Sequence, residues 1–128
     1  MRSLFKLSLL ILVLGFAGCA AKQLRPGAEK IIVGNNVPKN CKFKGQVMGE
    51  QGGALTGGWT SNKNLAMGAM NEMRNEALAL GANYVQLLTR STGNTMSGSD
   101  YGFGGGQTDV TQQGNAYLCP PSSLGTGQ

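Results

Sequence analysis

A chain of 128 residues has room for one domain, and 21 glycines with only 6% aromatic residues leave it little large apolar surface to bury, so a covalent brace is expected. The formal charge of +5 includes Arg2 and Lys6, which lie in a segment expected to be removed, and the other basic residues are scattered. That distribution lacks the clustered phosphate-binding charge of a nucleic-acid footprint. With no histidine and only 6 carboxylates, the chain also lacks the usual means of general acid–base work or of activating a serine.

Residues 1–18 read as a signal peptide: Arg2 and Lys6 precede an apolar run from Leu7 to Phe16 broken only by Ser8 and Gly15, and small residues lead to Cys19. Such a run is too short for a permanent span, which takes roughly 20 apolar residues. The following Phe16-Ala17-Gly18-Cys19 resembles the lipobox of bacterial lipoproteins, whose cysteine thiolate accepts a diacylglyceryl group; Phe16 stands where that motif usually has Leu. The resemblance implies a palmitate-type lipid anchor on Cys19, and acyl chains each contribute about 0.8 kcal/mol per buried methylene to membrane attachment. The alternative is an ordinary secretory peptide cut at Ala17 or Ala20. Ala20 is not the aspartate that marks inner-membrane retention, so the sorting rule points to the outer membrane, with the domain in the periplasm.

Once Cys19 is acylated, Cys41 and Cys119 remain, near the two ends of the globular part and in an oxidising compartment. A bridge between them removes roughly 4 kcal/mol of unfolded-state entropy in the chain-entropy model. The competing reading is a redox switch or metal site. The spacing is not Cys-x-x-Cys, and zinc usually recruits histidine, so no metal and no cofactor are expected.

Residues 19–28 read as a lipidated tether with a Pro26-Gly27 break. Ile31-Ile32-Val33 predicts a short strand, and Lys42 to Val47 alternates so that Phe43 and Val47 share a buried face. The glycine-flanked segment 51–60 ends at Trp59, expected to fold back on the core. Thr60-Ser61-Asn62 offers N-cap oxygens to a helix over 64–80. Its stripe is Ala66, Met70, Met73, Ala77 and Leu80, widened by Leu65, Met67 and Ala69; Asn71, Glu72, Asn75 and Glu76 face water. Gly81 ends the helix in a left-handed cap. Residues 83–90 form a central strand, 91–107 a glycine-rich loop that does not pack, and 108–119 the last strand, before a flexible tail at 121–128. Gly102-Phe103-Gly104-Gly105-Gly106 lacks the Lys-Ser/Thr and the helix of a phosphate-binding loop.

Three stretches carry a resemblance: Met73-Arg74-Asn75-Glu76-Ala77 with Leu80-Gly81-Ala82-Asn83-Tyr84-Val85, Cys41 with Gly45-Gln46-Val47-Met48-Gly49, and Gly114-Asn115-Ala116-Tyr117-Leu118-Cys119-Pro120. Through them residues 29 to 120 resemble an uncharacterised family of small proteobacterial lipoproteins typified by YjeI, which has no assigned activity. The order of elements is more distantly similar to RcsF, an outer-membrane lipoprotein that senses envelope damage; this chain has cysteines for a single bridge and lacks that protein's long proline-rich tether.

The expectation is therefore an α+β fold, with one amphipathic helix packed on a small, mainly antiparallel four-stranded sheet closed by a disulfide. Its segments are 1–18 signal peptide, 19–28 tether, 29–120 domain and 121–128 tail. The expected role is non-enzymatic: an envelope lipoprotein anchored to the membrane and bound to an envelope protein partner, with Trp59, Arg74, Asn75, Tyr101 and Phe103 as candidate interaction residues. The alternative is a small-ligand, glycan or peptidoglycan module using Trp59, Tyr101 and Phe103 as an aromatic platform.

Overall fold

The computed structural model describes residues 20–53, 60–99 and 102–125, with backbone alone at 94–99 and 102–107. The expected signal peptide, Cys19, Trp59 and Tyr101 lie outside the described residues.

A short 3-10 turn, Ala28–Lys30, leads into β1 (Ile32–Gly34); β2 (Lys42–Gly52), the helix α1 (Asn62–Ala79), β3 (Tyr84–Ser99), β4 (Gly102–Leu118) and a final helical turn α2 (Pro121–Leu124) follow. The last of these sits in the stretch expected as a flexible tail. Local chemistry sets the helix ends. The Ser61 side chain accepts from the Asn64 N–H at 3.2 Å, as an N-cap should. Gly81 takes the left-handed conformation at φ 69°, and the Gly81 and Ala82 N–H groups return to Leu78 and Ala77 at 2.9 and 3.0 Å, which is the expected glycine cap.

The four strands lie in the order β1-β3-β4-β2, so β3 is central as expected. The sheet is mixed rather than mainly antiparallel, because β1 pairs parallel with β3 while β2–β4 and β3–β4 are antiparallel. Between β1 and β3 the chain visits the far edge as β2 and returns through α1, and that crossover brings β3 back in the direction of β1.

One side of the sheet carries α1. Ile31, Val47, Met73, Ala77, Ala82, Val85 and Ala116 form the main core, and Leu65, Ala69 and Val110 a second cluster nearer the helix start. The buried helix seam is Leu65, Gly68, Ala69, Met73 and Ala77, turned from the expected stripe, so that Met67 and Leu80 are exposed. A glycine permits this close seat: a Cβ at Gly49 of β2 would collide with the Ala69 carbonyl oxygen and stand 2.7 Å from the Met73 nitrogen.

Three slips interrupt the pairing, one of them between Gly93 and Asn94, and the other two re-aim side chains. The pairing slips between Phe43 and Gly45, leaving Lys44 as the extra residue, so Phe43 turns to the open face of the sheet instead of sharing the buried face of Val47. There it meets Tyr117 edge-on at 5.6 Å and remains 54% exposed. A second slip between Leu87 and Thr89 puts Leu88 on the surface.

The region 91–107, expected as a loop, instead extends the two strands. Their backbones pair from Ser91↔Thr111 through Ser99↔Gly102. A two-stranded ribbon needs only backbone pairing, which a polar and glycine-rich sequence can supply without an apolar face. At the other end of the sheet the Cys41–Cys119 disulfide, with Cα atoms 4.1 Å apart, ties the start of β2 to the end of β4 across 78 residues of sequence.

Candidate functional site

The polar side of α1 is not left to water. Residues 22–25, expected as free tether, run along it as a strap. The Asn71 amide donates to the Lys22 carbonyl at 2.7 Å, and Asn75 both donates to the Gln23 carbonyl at 2.9 Å and accepts from the Arg25 N–H at 2.8 Å. The Lys22 N–H reaches the Gln51 side chain at 3.0 Å, joining the strap to β2 as well. Gly27 then passes over Leu78 at 3.7 Å from the position its Cβ would take, which marks the direction of travel toward the helix C-terminus. The helix is thus covered by sheet on one side and strap on another, and the expected division into an apolar inner and a wet outer face does not describe it.

Two glutamates on α1 complete the arrangement. β2 is an edge strand, and on such a strand alternate N–H groups point away from the sheet with no strand to receive them. The Met48 N–H donates to Glu76 Oε2 at 2.8 Å and the Glu50 N–H to Glu72 Oε2 at 2.6 Å. The other Glu72 oxygen holds Lys22 Nζ at 2.6 Å. Burial alone would raise the Glu72 pKa, but the Lys22 hydrogen bond, the Glu50 N–H and the Lys22 charge together outweigh it and hold the carboxyl below its ordinary value. Glu72 therefore clamps three segments at once: strap, helix and edge strand.

A cavity of about 410 Å³ lies between strap and helix, lined by Lys22, Gln23, Arg25, Glu72, Asn75, Glu76 and Ala79. A second, of about 340 Å³, is bounded by Gln46, Met48, Glu76, Leu88 and Gln113 among others. Both hold charged or amide groups already engaged with backbone. Among the described residues no group of three His, Cys, Asp or Glu side chains is placed to hold a metal ion, and no helix is long and apolar enough to cross a membrane.

The candidate interaction residues are not brought together among the described residues. Asn75 is occupied by the strap. Arg74 is half-buried, and its Nε is buried with no hydrogen-bond partner among the described residues. Phe103 is placed by its backbone alone, opposite Gly98 in the ribbon. The aromatic pair that is described, Phe43 with Tyr117, is not legible in the sequence because the bulge at Lys44 breaks the alternation on which a strand reading depends. Asn83 is a further residue that sequence patterning does not single out. Its amide donates to the Cys119 carbonyl and accepts from the Cys119 N–H, both at 2.8 Å, fastening the start of β3 beside the disulfide. The run Gly81-Ala82-Asn83 held the signal, since an amide just after a helix cap has backbone groups within reach on both sides.

No curated protein and no solved structure matches the chain. A family model described as a domain of unknown function, DUF4156, matches residues 22–119. The match begins at the first hydrogen-bonded residue of the strap and ends at the second disulfide cysteine. Since it covers well over half of the chain, the protein belongs to the DUF4156 family.

Proposed function

We propose that the protein is a non-enzymatic lipoprotein of the cell envelope, acylated on Cys19, anchored in the outer membrane and serving in the periplasm as a protein-interaction or envelope-stress accessory module. The observation that carries this reading is the strap. The domain takes hold of its own chain at Lys22, three residues after the lipobox cysteine, as a module built to hang from that point would. The Cys41–Cys119 bridge suits an exported protein. For an interaction surface, no second layer covers the sheet face away from α1 among the described residues, and Phe43 and Met48 stand exposed on it at 54% and 41%.

Intact-mass spectrometry of the protein extracted from membranes tests the proposal, with Cys19→Ser as the comparison. Acylation adds the mass of a diacylglyceryl group and a further acyl chain to the mature wild-type chain and keeps it with the outer membrane, while Cys19→Ser stays in the soluble periplasmic fraction. An unmodified Cys19 in a protein released freely by osmotic shock would overturn the anchor and the role together.

A further inference from the structure

The strands fix which end of the domain the anchor belongs to. β2 runs from the disulfide at Cys41 to Gly52, and the strap meets it at Gln51, near the end remote from the disulfide. β4 runs antiparallel to β2 and β3 antiparallel to β4, so the far reach of the β3–β4 hairpin also lies at that remote end. β2 stops pairing at Gly52↔Asp109, and beyond this level β3 and β4 continue alone to Ser99↔Gly102. That is a ribbon about 20 Å long at roughly 3.3 Å per residue. The N-terminal end of α1 is there too, because Leu65 packs where a Cβ at Gly52 would stand.

Cys19 precedes Lys22 by three residues, a reach of about 10 Å for a fully extended chain. The tether is therefore shorter than the ribbon, and both leave the same end of the molecule. On the reading that Cys19 is acylated, we infer that the domain sits flush on the membrane with its disulfide end away from it, and that the β3–β4 ribbon lies against the lipid headgroup region as a second point of contact.

The composition of the ribbon fits a bilayer surface. Across residues 93–107 the one charged residue is Asp100, and the segment includes Met96 and Phe103, phenylalanine being among the residues that face lipid in interfacial segments. Among the described residues no strand pairs with either outer edge of the ribbon, and such edges need water or headgroups, so its depth is interfacial and it does not enter the hydrocarbon. Exposed Lys63, beside the start of α1, adds positive charge at this end for anionic headgroups.

The test uses the acylated full-length protein in phosphatidylethanolamine/phosphatidylglycerol vesicles with brominated acyl chains. Trp59, the single tryptophan, is replaced by Phe, and one reporter is installed at a time as Phe103→Trp, Met96→Trp or Phe43→Trp. Flotation of the vesicles reports the anchor independently. The reporters at 103 and 96 are expected to lose roughly half their emission, as side chains about 5–10 Å into the headgroup boundary would, while the reporter at 43 is unaffected. Vesicle-bound protein in which 103 and 96 are quenched no more than 43 would overturn this inference and leave the anchor standing. Protein that fails to float with the vesicles would overturn the anchor, and this inference with it.

Discussion

Replacing Glu72 with alanine removes one carboxylate that accepts from the Glu50 N–H and from Lys22 Nζ, each at 2.6 Å. A hydrogen bond to a charged group contributes about 1.5–3 kcal/mol, with the low end appropriate here because the freed N–H on an edge strand can turn to water. The ion pair adds no more than about 1 kcal/mol, since 46% of the Lys22 side chain is exposed. About 1.5 kcal/mol thus sits on the Glu50 N–H, and site-resolved hydrogen exchange reads it directly: that amide should exchange about tenfold faster in Glu72→Ala, at 1.4 kcal/mol per decade. The Met48 amide, held by Glu76 at 2.8 Å, should keep its protection, and Glu76→Ala should reverse the pattern. The same clamp is sensitive to acid. A carboxylate whose folded-state pKa is lowered contributes stability in full above its ordinary value of 4.5, and that contribution is lost as pH falls through the lowered value. The Glu50 amide should therefore lose protection at lower pH in the wild type and show no such step in Glu72→Ala. Equal acceleration at Met48 and Glu50, or none at either, would refute the idea that each glutamate caps its own edge amide.

Other consequences concern the packing of the domain. In Gly49→Ala the new methyl meets backbone atoms of Ala69 and Met73 that cannot swing aside, so it should cost about 3 kcal/mol and lower Tm by roughly 10 °C or more, measured by calorimetry. Gly125→Ala, where nothing lies within 4 Å of the added Cβ, is the neutral comparison. Opening the disulfide with Cys41→Ser and Cys119→Ser releases a loop of 78 residues and should cost up to about 4 kcal/mol in denaturant unfolding. Asn83→Ala deletes two part-buried hydrogen bonds to Cys119, for about 2 kcal/mol. Asn83→Asp should be worse at neutral pH, because an acceptor-only carboxylate then faces the Cys119 carbonyl, and should recover partly in acid when protonation restores a donor.

What could be read in the sequence was what rests on short-range chemistry. Ser61 and Gly81 bound the helix because a hydroxyl beside free N–H groups and a residue without Cβ each have one obvious local use. The Cys41–Cys119 pairing is legible because the chain has three cysteines and one of them, Cys19, stands in the stretch that resembles a lipobox. The misreadings begin where one backbone step changes parity. The extra residue at Lys44 moves Phe43 across the sheet, and nothing in the alternation of Lys42 to Val47 marks it apart from Gly45, whose φ of 152° lies where L side chains are rarely found. Low apolar content alone reads as a loop over 91–107, although backbone pairing asks nothing of side chains except that they not interfere.

The strap shows a different kind of difficulty, which bears on function. Asn71, Glu72, Asn75 and Glu76 follow helical spacing on the side away from the sheet, and the usual inference assigns such residues to water. Amides and carboxylates are also the side chains best able to receive and supply backbone hydrogen bonds, and here the backbone in question belongs to residues 22–25 and to an edge strand. Periodicity identifies which residues share a face but carries no information about whether solvent or another segment covers it. The stronger clue lay in residue type: two asparagines four apart on a helix that favours neither, where lysine or glutamine would serve solvation better. Each asparagine makes a bond to the strap, while Gln51 and Glu72 hold Lys22, so Asn71→Lys/Asn75→Lys combined with Gln51→Ala and Glu72→Ala should leave α1 intact while freeing the chain between Cys19 and Ala28. On the proposed anchoring, a domain loosened in that way would hang from a longer tether and lose its fixed orientation, and the reporter at 103 in that fourfold variant should then be quenched less by brominated lipid while flotation is unchanged.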